Sequence, residues 1–232
     1  GHSSVAGWGL NTSNTQNTKK INIYNEMAQV LAGFDENGNV RRFDKDGDLT
    51  GGAKLDSVFF LNFTRLLAKD EVKKGSFSLE LGVSASFDIT TTGKDSFGER
   101  IKLTDASGSN GFKVNSPVGE YGLLFAEDTQ GSRLTNTSPC GLIYYQAGIC
   151  VVTGGIFNHA DAGGYLDLYD CEMLRVQQAG QTLLYMNGLA TGSAITGACD
   201  AFRHRIYNLS FNNTTELNST IYFCRANHND FN

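Results

Sequence analysis

The sequence predicts a mainly β fold, an antiparallel β-sandwich or related β-rich architecture with one or two short helices. Three observations carry this expectation. Apolar and polar residues alternate with a period of two in short runs, most clearly at Phe77, Leu79, Leu81 and Val83. The runs are separated by Gly, Asn, Asp and Ser clusters in a chain that holds 27 glycines. Its 2 prolines, Pro117 and Pro139, fall at strand edges or loops, where a missing N–H costs no ladder hydrogen bond.

Taken in order, residues 1–20 are polar and rich in Asn, Thr and Ser, and predict a flexible N-terminal arm with Trp8 as its anchor. Residues 21–75 form a charged β/turn segment expected to pack on a β-rich main domain at 76–232. Of the 43 charged residues, 19 fall in the first 75 positions. Ile21 to Ala32 suits either a strand or a helix. Asn37-Gly38 and Asp46-Gly47 read as two-residue hairpin turns, since Asn, Asp and Gly tolerate positive φ. Val58 to Phe63 is a buried strand. Ile101–Leu103, Phe112–Val114 and Tyr121–Phe125 continue the strand series. Gly141–Tyr145 and Ile149–Val152 bracket Gln146-Ala147-Gly148 as a core hairpin. Asp167 to Leu184 is the best helical segment, Asp200 to Tyr207 a second short helix, and Thr220 to Cys224 a final strand leading to a further layer or subunit.

Composition narrows the functions. A chain of 232 residues with 40% hydrophobic and 19% charged residues buries a sizeable core. A net charge of −5 argues against broad nucleic-acid binding, which needs a basic surface to displace counterions. No apolar run reaches the about 18 residues of a membrane-spanning helix, and the opening GHSSVAGWGL lacks the basic and apolar regions of a signal peptide. The 5 cysteines have no CxxC spacing and predict free thiols in a reducing compartment.

Few constellations point to chemistry. Asp44, Asp46 and Asp48 match positions 1, 3 and 5 of a calcium loop and are the metal candidates. The match fails where Leu49 replaces the bend glycine and Leu55 the bidentate glutamate, so plain turns are expected and no cofactor. His159 and Asp161 read as a surface loop. Asp167, Asp170 and Glu172 are the first carboxylates to consider for glycoside hydrolysis. No nucleophile elbow, phosphate loop or HExxH occurs, and no enzymatic activity is expected.

Val58–Val83, Gly141–Val152 and Phe211–Asn232 resemble virion structural proteins of T4-like tailed phages, particularly marine cyanophages. The likeness extends over most of residues 24–232 without a motif as specific as a metal signature, and family members continue past the last segment into further β-rich sequence. It implies a non-enzymatic tail, baseplate or neck component, assembled in the host bacterial cytoplasm into the virion. The implied partners are other virion proteins and copies of the chain itself, with no nucleic acid and no membrane. The residues themselves single out Trp8, Tyr222, Phe223, Arg203 and Arg205 as interface candidates. The alternative is a receptor- or carbohydrate-binding module of a phage tail.

Overall fold

A computed structural model describes residues 2–4, 15–49, 51–82, 100–128, 136–157, 164–165, 199, 202–203 and 205–215. The fold is mainly β. Its frame is a curled antiparallel sheet, a half-barrel, in the order β1 (His2–Ser4), β2 (Ser57–Asn62), β9 (Ile149–Thr153), β8 (Gly141–Tyr144), β7 (Gly119–Asp128), β5 (Arg100–Thr104), β4 (Ser78–Gly82) and β10 (Ile206–Ser210). β6 (Lys113–Ser116) forms a hairpin with the start of β7, and β3 (Glu71–Val72) pairs separately with β11 (Asn213–Thr214).

The long β7 joins two halves of the sheet. Tyr121–Leu124 pair with β8, while Phe125–Asp128 pair with β5. The predicted hairpin of β8 and β9 is present, closed by the turn at 145–148, where Gly148 adopts a φ of 62°. A side chain at Gly148 would also meet the backbone of Thr64, so glycine serves both the turn and a close approach.

The alternation seen in the sequence sorts side chains onto two buried faces. Phe59, Leu79, Leu81, Ile101, Leu103, Leu124, Ile143, Cys150 and Val152 share one core. Val58, Tyr121, Leu142, Tyr144 and Val151 point the other way into a second core. Strand β8 is buried along its whole length because it serves both.

The second core is covered by α1 (Thr15–Leu31), a 17-residue helix. It takes the ambiguous stretch at 21–32 and reaches back into the segment expected as an arm, whose His2–Ser4 also forms β1. Tyr24, Ala28 and Leu31, at i, i+4 and i+7, are its buried stripe. The Tyr24 hydroxyl donates to the Leu55 carbonyl (2.8 Å) and accepts the Phe43 N–H (3.1 Å), tying the 43–55 segment to the helix. Gly33, at φ 78°, ends α1 by donating its N–H to the Ala28 carbonyl at 2.9 Å.

Two expectations change. The two turns in the 34–54 region are longer than two residues, because their closing bridges are Phe34–Val40 and Asp44–Lys54. The Asp35 carboxylate shapes the first by accepting the N–H groups of Asn37 (2.9 Å) and Asn39 (2.8 Å). Ile206 and Tyr207, expected in a short helix, belong to β10, which pairs with the apolar β4. The helical stretch expected at 167–184 and the strand at 220–224 lie outside the described residues. Cys140, Cys150 and Cys199 are free thiols, the first two buried.

One buried carboxylate fastens the first core. Asp105, fully buried at the end of β5, accepts the N–H of Gly75 (2.7 Å) and of Phe77 (2.9 Å) and the hydroxyl of Tyr145 (3.0 Å). Burial and the neighbouring Asp105 carboxylate push the Tyr145 phenol well above its ordinary range, so the ring stays a donor. Gly108 and Gly122 leave room for that hydroxyl, since a Cβ at either would collide with it. Asp105→Asn replaces an acceptor by an NH2 group facing N–H donors and is expected to cost about 3 kcal/mol, against about 1 kcal/mol for Tyr145→Phe. Urea denaturation of both variants checks this. A loss below about 0.5 kcal/mol for Asp105→Asn would remove the carboxylate from its structural role.

Candidate functional site

The acidic loop after α1 brings the three metal candidates together. One oxygen from each of Asp44, Asp46 and Asp48 lies within 4.8 Å of the others. Leu49 adopts a φ of 64°, so the bend that its side chain was expected to prevent is made regardless. Leu55, at the position of a calcium loop's bidentate ligand, is buried in the second core.

A protein cation already serves this loop. The Lys54 ammonium lies 2.8 Å from Asp44 Oδ2, and the Asp44 side chain is 1% exposed. Burial alone would raise the Asp44 pKa, but hydrogen bonds and charge attraction, led by Lys54, outweigh it and hold the carboxyl below the usual range. Exposed Asp46 is pushed up by the Asp44 carboxylate beside it. The loop is a turn held shut by a largely buried ion pair.

A second ionic cluster is also committed to structure. Lys74 pairs with Glu120 and with Glu71 Oε1 (3.4 Å), and its ammonium stands 5.0 Å from the centre of the Phe112 ring. Burial would lower its pKa, yet the two carboxylates win and raise it.

The two candidate arginines part company. Arg205 is buried, donates from Nη1 to the Gly82 carbonyl (3.0 Å), and lies 5.7 Å from the Phe157 ring centre. Removal from water lowers its pKa to about 10. Arg203 is exposed and lines a groove of 870 Å³. Trp8, Tyr222 and Phe223 lie outside the described residues, as do His159, Asp161, Asp167, Asp170 and Glu172.

That groove is lined largely by apolar side chains. It runs between β2 and β10, where the two ends of the curled sheet approach each other. Phe59 stacks on Phe202 at one end (centroids 4.6 Å apart), and Phe63 meets Phe211 at the other (5.1 Å). Leu61, Ile206 and Leu209 supply apolar walls, and Leu66 reaches it from the 3-10 turn Thr64–Leu66 while 60% exposed. Arg65 and Arg203 are the charged residues of the described lining, which holds no carboxylate. Arg65, Leu66, Ile206 and Leu209 escaped the sequence reading. The apolar pair Leu66-Leu67, placed after a strand and outside its alternation, was the available signal.

Comparison with known proteins adds no relative: no family model, no curated protein and no solved structure matches the chain.

The Asp44–Lys54 pair has a pH signature. Because the folded-state pKa of Asp44 is depressed, its stabilisation is present above the unfolded value of about 3.9 and is lost as pH falls through the folded one. Lys54→Met strands a buried carboxylate and is expected to cost about 3 kcal/mol at neutral pH. That deficit shrinks as pH falls, beginning above the ordinary carboxylate value of about 3.9, because burial without Lys54 raises the Asp44 pKa. Melting curves of wild type and variant from pH 3 to 7 test this, and a pH-independent deficit would refute it.

Proposed function

We propose that this chain is a non-enzymatic structural subunit that acts by assembling with other proteins, as a tail, baseplate or neck component of a tailed phage does. The observation that carries the reading is the open seam between β2 and β10. Among the described residues, no strand pairs with β10 on the flank away from β4. An unpaired strand edge beside an apolar groove is a template for another chain, and proteins cover such edges unless they use them. The resemblance of residues 58–83, 141–152 and 211–232 to phage virion proteins motivates the particle named.

The ionisable clusters favour the same reading. Asp105, Asp44 and Lys74 each spend their charge on buried structural bonds. Asp105 and Lys74 join segments distant in the chain, and Asp44 closes its own loop against Lys54.

The full chain is expected to self-associate, or to bind other particle proteins, at micromolar concentration. Light scattering across a concentration series reads the first, and cross-linking mass spectrometry on intact particles reads the second. A strict monomer that cross-links to no particle protein and binds glycans would replace this reading with the receptor-binding one.

A further inference from the structure

Three carboxylates converge in the acidic turn. One oxygen from each of Asp44, Asp46 and Asp48 lies within 4.8 Å of the others. Oxygen ligands of one calcium ion lie no more than about 5 Å apart, twice the metal–oxygen distance, so the three fit a single ion.

The observation that points to a ligand lies inside the turn. Asp44 is 2% exposed, and its Oδ2 is bonded to Lys54 at 2.8 Å. The other oxygen, Oδ1, is shut off from water and accepts no hydrogen bond. A buried carboxylate oxygen without a donor or cation is costly, so this atom needs a partner from outside the polypeptide. Two neighbouring cations are directed elsewhere. Arg42 pairs with Asp56 (2.9 Å), and the Lys45 ammonium stands over the Tyr165 ring (5.6 Å).

The backbone is also shaped for an ion. Leu49 holds a φ of 64° at the place where a calcium loop bends on glycine. Gly52, at φ 65°, closes over Asp46, and a Cβ there would stand 3.2 Å from Asp46 Oδ2. The Asp44 and Asp46 carboxylates repel each other, and a divalent cation would remove that repulsion.

We propose that this turn binds a calcium ion through Asp44 Oδ1 and the carboxylates of Asp46 and Asp48, with Lys54 kept on Asp44 Oδ2. A set of oxygen donors suits a hard cation. Leu55 stands where the bidentate ligand of a full calcium loop would be, so water completes the shell and affinity is weak, with a Kd of about 0.1–1 mM. The ion fastens the exposed Asp46 and Asp48 to buried Asp44. It thereby stiffens the 43–55 segment that the Tyr24 hydroxyl ties to α1. This inference stands apart from the assembly reading.

The test is calorimetric titration of the chelator-treated full chain with calcium chloride at neutral pH and constant ionic strength, with melting curves in parallel. The expected result is one site in the range above and a melting temperature that rises with calcium. Asp46→Asn and Asp48→Asn, both at exposed positions, lose roughly tenfold in affinity while circular dichroism shows the fold retained. Lys54→Met binds calcium roughly tenfold more tightly, because a neighbouring positive charge is gone. Calcium also restores part of that variant's lost stability. Magnesium, confined to near-ideal octahedral geometry at shorter distances, binds more weakly.

No heat and no melting shift up to about 10 mM calcium would overturn the proposal. So would a response that magnesium matches, which marks counterion screening alone. A calcium response unchanged in both Asp→Asn variants would place the ion elsewhere and overturn it too.

Discussion

The arrangement of the first core depends on one buried carboxylate. Asp105 joins the strand it ends, the loop that leads into β4, and the residue that closes β8, through three donors at ordinary hydrogen-bond distances. A buried carboxylate needs donors to offset its lost hydration, and three separate segments supply them here. The bond set therefore acts as a fit-or-fail test on the relative position of three strands. Neighbouring sequence obeys the same constraint, since Gly108 and Gly122 are small where the Tyr145 hydroxyl must sit. Apolar packing alone would tolerate a shift of β4 against β8. This carboxylate does not.

Burying both faces of the central strands is what a chain of this length makes possible. α1 covers one face and the curl of the sheet encloses the other. With the centre sealed, the described groove lies at the margin of the sheet, between β2 and β10. Lys54 and Lys74 each neutralise a buried acid, Asp44 and Glu71, rather than presenting their charge to a ligand.

The strands were legible because their alternation is local. Phe77, Leu79 and Leu81, or the paired runs on either side of Gln146-Ala147-Gly148, state which face each residue takes before any partner is known. The helix Thr15–Leu31 was harder to see, because its buried stripe is only Tyr24, Ala28 and Leu31 amid polar residues, and its stability comes from the core it covers. The acidic loop was readable as a turn but not in its closure, because Lys54 lies ten positions from the Asp44 it neutralises. The groove was invisible for a stronger reason. Leu66 and Leu209 become neighbours of one space only when the whole sheet has curled, and no window of sequence contains both.

β7 stands three strands from β2 in one direction and three from β10 in the other. It is thus opposite the seam, and it is the strand at which the pairing passes from one half of the sheet to the other, between Leu124 and Phe125. The two arms of the sheet thus meet through one continuous backbone, while Phe59–Phe202 and Phe63–Phe211 tie their far ends together across the seam.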